Sequence, residues 1–478
     1  MPASPPELEV AGGQHRLSGG RPRAAGGRHR LNGKLQPRNG PSRSILRSDA
    51  ARAMAGRLSW GLGDQAISSL TNFAVGIFVA RLLGVTAFGI FSLAWVTYAV
   101  VLNLSRGLAT DPLLVRFSGA PDARWRTAVV QSSSTALAVG LATGATSLLA
   151  GLLIGGPVGS EFVALGLVLP ALLLQDSWRY AFFASGQGRK AFLNDAVWAV
   201  SLVPAMLLAA RDGSVFTFLL AWGAAGAVAA GYGIMQTRVL PGVRGIRTWL
   251  TQHRDLGPRY MVENISINSA ELLRMYALGA IAGLASVGAV RGAQLLLAPS
   301  LAVLMGISLV SVPEAARVLK RSPRRLPLFC LLLGGGEALA VSLWGLGVLF
   351  LLPAGVGQQL LGSVWQSASA LIVPTTLAVM GAGLMDGPTA GLRALGAARR
   401  SLRAKLIAGA AYVSCGLVGA AIGGAAGSVW GVAAAIYFAV GVLWWQLRAA
   451  MNERTAERTA EPTGPTHEIQ LDMETVRS

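Results

Sequence analysis

Asp64-Gln-Ala-Ile-Ser-Ser-Leu-Thr-Asn-Phe-Ala-Val-Gly-Ile-Phe-Val-Ala-Arg81-Leu-Leu-Gly84-Val-Thr-Ala-Phe-Gly89-Ile-Phe91 reads as one membrane-spanning helix, a tight turn and the start of the next helix. Between Ala66 and Leu83 the one charged side chain is Arg81. A hydrocarbon core of ~30 Å takes ~20 helical residues, which this run supplies. The step at Gly84 breaks it before a second apolar stretch begins. Working outward, the chain repeats this unit. Apolar runs lie near 60–83, 87–106, 128–154, 161–184, 191–210 and 214–235, then near 260–283, 286–312, 327–352, 359–384, 405–424 and 428–447. They predict an all-α polytopic membrane protein of about twelve transmembrane helices in two six-helix bundles.

Composition agrees. Of 478 residues 53% are hydrophobic and 13% charged, with a mean hydropathy of +0.53, so the chain cannot hide its apolar surface from water. Cys330 and Cys415 both fall inside apolar runs, where a thiol behaves as a small apolar side chain. His15, His29 and His467 lie in the tails and His253 in a connecting loop. No metal site, cofactor or catalytic histidine constellation is expected, and an enzyme is disfavoured. Lysine appears only as Lys34, Lys190, Lys320 and Lys405 among 41 basic residues, which points to a GC-rich bacterial genome.

The basic residues fall in alternate loops. On one side lie the N-terminal tail, Arg116/Arg124/Arg126, Arg189/Lys190, Arg238/Arg244/Arg247/Arg254, Arg317/Lys320/Arg321/Arg324/Arg325, Arg393/Arg399/Arg400/Arg403 and the C-terminal tail. The other side has only Arg81 and Arg211 nearby. The positive-inside rule makes the basic side cytoplasmic, with both termini there, in a bacterial cytoplasmic membrane. The net charge of +19 then reads as topology plus contact with anionic membrane lipids, not as nucleic-acid binding. Residues 1–56 are expected to be a disordered basic tail, 57–238 the first bundle, 239–258 a cytoplasmic linker, 259–449 the second bundle and 450–478 a second disordered tail.

An internal repeat is visible. Gly84-Val-Thr-Ala-Phe-Gly89 joins the first two spans and Gly283-Leu-Ala-Ser-Val-Gly288 the seventh and eighth, 199 residues later. The same offset sets Glu263 on Asp64 and Asn264 on Gln65, an acid-amide pair near the start of the first helix in each half. Two halves that begin on the same side should be parallel repeats about an axis along the membrane normal, with a central cavity between them.

Charges inside a membrane cost roughly 2.5–3.5 kcal/mol each on insertion scales and face a wet cavity or a partner. Glu271 and Arg274 lie near mid-bilayer as an i, i+3 pair: either they neutralise each other, or Arg274 meets an anionic substrate while Glu271 orients it or carries a proton. Arg291 either snorkels to the outer headgroups or, with Gln294 one turn further in, extends a cationic lining. Asn72 is a further cavity candidate; Asp64, Glu263 and Asn264 are candidates for coupling or gating. Asp176 and Arg179 read as a second i, i+3 pair beside Asn194 and Asp195, and Glu337 and Asp386 as lone acids. Pro170, Pro204, Pro299 and Pro374 fall within spans, where they kink helices.

The stretch 64–91, above all Ala80-Arg81-Leu-Leu-Gly84 and Phe88-Gly89-Ile-Phe91, resembles the opening of polysaccharide (O-antigen-type) flippases. These belong to the multidrug/oligosaccharidyl-lipid/polysaccharide (MOP, MATE-like) transporter superfamily. The resemblance extends over 57–450 through the layout of spans. It implies translocation of a polyprenyl-diphosphate-linked oligosaccharide across the membrane through a V-shaped cavity often lined with basic residues. It also implies association with a glycan polymerase or glycosyltransferases, and H+ or Na+ coupling. The family has no strict catalytic motif, so it assigns no residue here. A cation-coupled drug extruder of the same superfamily is the alternative, with Asp64, Glu263 and Glu271 as ion sites. A membrane polymerase or ligase of glycan assembly fits less well, since every external connection is short and lacks His.

Overall fold

The computed structural model describes residues 43–242 and 245–460; the side chain of Glu263 lies outside the described residues. The chain divides into a unit Met1–Ala53, of which only the start of a helix is described, and a compact unit Met54–Ser478. The helix α1 (Arg43–Leu82) begins inside the segment read as a tail. There follow α2 (Val85–Ser105), which continues through a π-turn at Arg106–Thr110 into α3 (Asp111–Phe117), then α4 (Asp122–Ile154), α5 (Gly156–Ala184), α6 (Gly188–Asp212) and α7 (Val215–Thr237). A short α8 (Ile246–Gln252) precedes α9 (Gly257–Ala282), α10 (Leu284–Leu296), α11 (Ala298–Arg321), α12 (Leu326–Leu346), α13 (Ala354–Leu361), α14 (Val364–Ser369), α15 (Ile372–Ala394) and α16 (Ala398–Ala460).

Nine helices among the described residues are long and apolar enough to cross a bilayer. The 63-residue α16 supplies two passes, because Gly423 and Gly424 leave helical geometry and fold it into a hairpin. Its legs meet through glycine: a Cβ on Gly419 would stand 2.0 Å from Gly427 O, and one on Gly431 2.1 Å from Cys415 O. Such close backbone approach is how helices associate where lipid is as apolar as leucine. The helices α9 and α15, of 26 and 23 residues, are long enough at ~1.5 Å per residue but carry polar side chains. With them the passes among the described residues number twelve. Exposed side chains such as Leu351 and Ile422 form the lipid-facing surface of a multi-pass membrane protein.

Several boundaries differ from the sequence reading. The tenth pass is α15 at 372–394, not 359–384, because Gly362 (φ 57°) ends α13 and two short helices precede the true span. Pro374 therefore sits in the first turn of α15, where a missing N–H costs nothing, and is no kink. Pro170 and Pro204 do lie inside helices, and the eighth pass breaks at Leu297, just before Pro299. Around 239–258 the chain is not a bare linker: Trp249 of α8 is fully buried and donates to Leu108 O at 3.1 Å, and Arg116 pairs with Asp255 at 2.6 Å. At the C-terminal end α16 runs on to Ala460, into the segment read as a tail.

The two halves meet along α2 and α9, which pack over their length, and α2 also crosses α10. A Cβ on Gly89 would stand 2.0 Å from Leu284 O, and one on Gly288 2.0 Å from Val85 O. These contacts are related by the 199-residue offset, since Leu284 corresponds to Val85 as Gly288 does to Gly89. The repeat is thus realised as a two-fold helix crossing that only glycine permits at both positions.

Candidate functional site

Two buried charge networks flank this seam, one in each half. In the first, the α5 side chain Arg179 reaches α1, donating from Nε to Asp64 Oδ2 at 2.6 Å and from Nη2 to Gln65 Oε1 at 3.3 Å. Its Nε stands 3.6 Å from Asp195 Oδ2 on α6. Gln175 donates to Asp195 Oδ1 (2.9 Å) and to Asn194 Oδ1 (3.2 Å), while Asn194 donates to Ala229 O at 2.9 Å. Arg106, from the π-turn after α2, grips Asp176 with two bonds of 3.0 and 2.7 Å. Asp64 is 0% exposed, and its Oδ1 has no hydrogen-bond partner. Three carboxyl groups thus face two guanidiniums, with Asp64 and Asp195 sharing Arg179.

The second network centres on Arg274 of α9, 1% exposed. Its Nη2 donates to both oxygens of Glu271, at 2.9 and 3.0 Å, and its Nε to Tyr412 Oη at 3.1 Å. The Tyr412 hydroxyl in turn donates to Glu271, and its ring lies 5.4 Å beneath the guanidinium. Gly416 leaves the space the arginine stem fills: a Cβ there would stand 2.9 Å from Arg274 Cδ. On α10, Gln294 donates to Glu271 Oε1 at 3.3 Å and accepts from Arg291 Nη1 at 3.2 Å. Arg291 is half-buried and forms no ion pair among the described residues, and the Glu271 side chain retains 28% exposure. One carboxylate against two guanidiniums leaves a surplus positive charge, and the network opens on the side of Glu271 and Arg291.

The seam between the networks is bridged by a hydrogen bond of 2.6 Å between Thr97 Oγ1 of α2 and Tyr276 Oη of α9. Near its start α9 touches the end of α2: Asn264 donates to Asp111 Oδ2 at 2.7 Å, and a Cβ on Gly107 would stand 2.4 Å from Met261 N.

No family model and no curated protein sequence matches the chain. Solved structures do. An inward-facing multidrug resistance MATE family transporter of the MOP superfamily superposes with a TM-score of 0.65 at 14% identity, covering 82% of this chain and 96% of that one. The lipid II flippase MurJ, in an inward closed conformation, superposes at 0.61 with 10% identity, covering 84% and 91%. An outward-facing MATE transporter gives 0.52 at 15% identity, covering 84% and 96%. The chain has a MATE-like fold.

Within this MATE-like fold the structure brings Glu271, Arg274, Arg291 and Gln294 together, with Arg291 donating to Gln294. Asn72 stands apart, half-buried and without a side-chain hydrogen bond among the described residues. Asp64 is interhelical, Asn264 meets Asp111, and Glu263 falls outside the described side chains. The expected Asp176–Arg179 pair does not form: one turn apart on α5, they face different neighbours, and bonds to Arg106 and Asp64 replace a pairing along the helix. Arg106 and Tyr412 were not singled out from sequence. Arg106 closes an apolar run and reads as an end-of-span residue, and a tyrosine within an apolar span gives no polar signal. Glu161 was also missed; it is buried on α5 with neither oxygen bonded.

Proposed function

We propose that this chain is an alternating-access transporter that moves a polyprenyl-diphosphate-linked oligosaccharide from the inner to the outer leaflet of a bacterial cytoplasmic membrane. The observation that carries this reading is the surplus guanidinium of the second network. A diphosphate leaving water needs fixed cations in its place, and arginine supplies them bidentately. Arg274 is committed to Glu271 and Tyr412, so it fixes the network's shape, and Arg291 presents its free donors to the headgroup. This assignment moves the principal anion contact from Arg274, the deeper residue, to Arg291. The neighbouring MurJ structure is described as a lipid II flippase, which supports a lipid-linked substrate on this fold. The two bundles rock about the α2–α10 glycine crossing, with the basic loops facing the cytoplasm.

A second reading, cation-coupled export of small molecules, is favoured by the carboxyl groups of Asp64 and Asp195 that share Arg179. In the flippase reading that same site takes the coupling ion. Deletion of the gene separates the two. Loss of surface glycan with lipid-linked intermediates trapped on the cytoplasmic leaflet is the expected outcome, and unchanged glycan with new drug sensitivity overturns it in favour of the extruder.

A further inference from the structure

The second bundle buries an acidic pair that neither network uses. Glu337 of α12 is 1% exposed, and neither of its carboxylate oxygens has a hydrogen-bond partner. An ionised carboxylate in that state is several kcal/mol out of balance. The element packed against it is α15. A Cβ on Gly383 would stand 3.0 Å from Glu337 Cβ, and one on Gly387 would stand 2.0 Å from Cys330 O, so this face of α15 lies directly on α12. Asp386, one turn beyond Gly383 on that face, brings its carboxyl to Glu337 and also meets Ser308 of α11. Two ionised carboxylates have four acceptor oxygens and no donor between them. A single proton turns one into a donor and satisfies the other.

We infer that Glu337 and Asp386 form a proton-binding dyad inside the second bundle, holding one proton between them. Asp386 is partly exposed and Glu337 is sealed, so the proton enters past Asp386 and rests on Glu337. The other charged groups facing the dyad are Arg393 on α15 and Lys405 on α16, and both act on Asp386. Both cations therefore lie on the Asp386 side of the dyad. Among the described residues no group of three or more His, Cys, Asp or Glu side chains is placed to hold a metal ion, and the ligand assigned to this pair is a proton. The chemistry is the conversion of one carboxylate to a carboxylic acid, with no other bond made or broken. The inference stands independently of what the transporter carries.

The test is infrared difference spectroscopy of the full chain in lipid nanodiscs during a pH titration, read at the C=O stretch of protonated carboxyls. Wild type is expected to show protonated-carboxyl absorption at neutral pH, of which Glu337→Gln removes one band while that of the buried Glu161 stays. Asp386→Asn, at a partly exposed site and so independent of whether the Glu337 variant folds, should keep the band and shift its titration to lower pH, because the amide donates to an ionised Glu337. Unchanged bands in Glu337→Gln, or an unchanged titration in Asp386→Asn, overturn the dyad. Displacement of the band by sodium at fixed pH overturns the assignment to a proton.

Discussion

The network of the first bundle sets three carboxylates around two guanidiniums, while that of the second sets one carboxylate around two. The glycines at the crossing obey one offset of 199 residues on both sides, but the networks do not: the first lies on α1, α5, α6 and the turn after α2, the second on α9, α10 and α16. The repeat extends to the backbone crossing and not to the charges: the offset sets Glu271, Arg274 and Arg291 on Asn72, Val75 and Ser92, so each half carries a network of its own. Backbone approach at Gly89 and Gly288 fixes how the halves meet, and the side chains just inside decide what each half attracts. In this account the first half holds a cation and the second an anion.

The comparison breaks most severely at Arg179. Replacing it with Gln strands Asp64 and Asp195 without a cation, and loss of one partner from a buried ion pair costs about 3–5 kcal/mol. Thermal unfolding of the purified protein should show a large drop in midpoint, partly restored by adding Asp64→Asn. A midpoint unchanged in Arg179→Gln means the first network is already neutral. Next in size is the crossing. Gly89→Ala or Gly288→Ala pushes a methyl into the opposite carbonyl, and overpacking of this kind costs about 1–3 kcal/mol. The two variants should lose stability equally and separate α2 from α10 in spin-label distances; unequal losses would deny the two-fold relation. Smaller again is Arg291→Gln, which breaks one bond to a neutral partner and should cost about 1 kcal/mol.

The smallest effect concerns the docked linker. His253 is buried against Trp249, and burial holds its imidazole below the usual histidine value despite the bond from Nδ1 to Trp249 O at 2.8 Å. A histidine depressed in the folded state stabilises above its ordinary pKa of about 6.5 and loses that contribution as pH falls through the folded value. Hydrogen-exchange protection of α8 should therefore decline as pH falls below about 6.5, and the decline should vanish in His253→Gln.

The spans and the repeat were legible from sequence because apolar runs, loop charge and glycine turns are local signals. The pairing of charges was not. Glu271 and Arg274 are neighbours along one helix, so spacing predicted their contact, whereas the partners of Asp64 and Asp176 come from α5 and the end of α2. Such contacts follow from helix rotation and crossing, which one sequence does not encode in any short window. The tenth span was misplaced because 354–369 carries no charge and runs into the apolar stretch that follows, yet the chain breaks at Gly362 and the span begins only at Ile372.

The most direct measurement is translocation of a polyprenyl-diphosphate-linked saccharide in proteoliposomes, comparing wild type with Arg291→Gln and Arg291→Lys. Wild type should flip the lipid, Arg291→Gln should lose flipping while remaining folded, and Arg291→Lys should retain part of it through charge without the bidentate grip. Flipping undiminished in Arg291→Gln would contradict the claim that the second half holds the anionic headgroup.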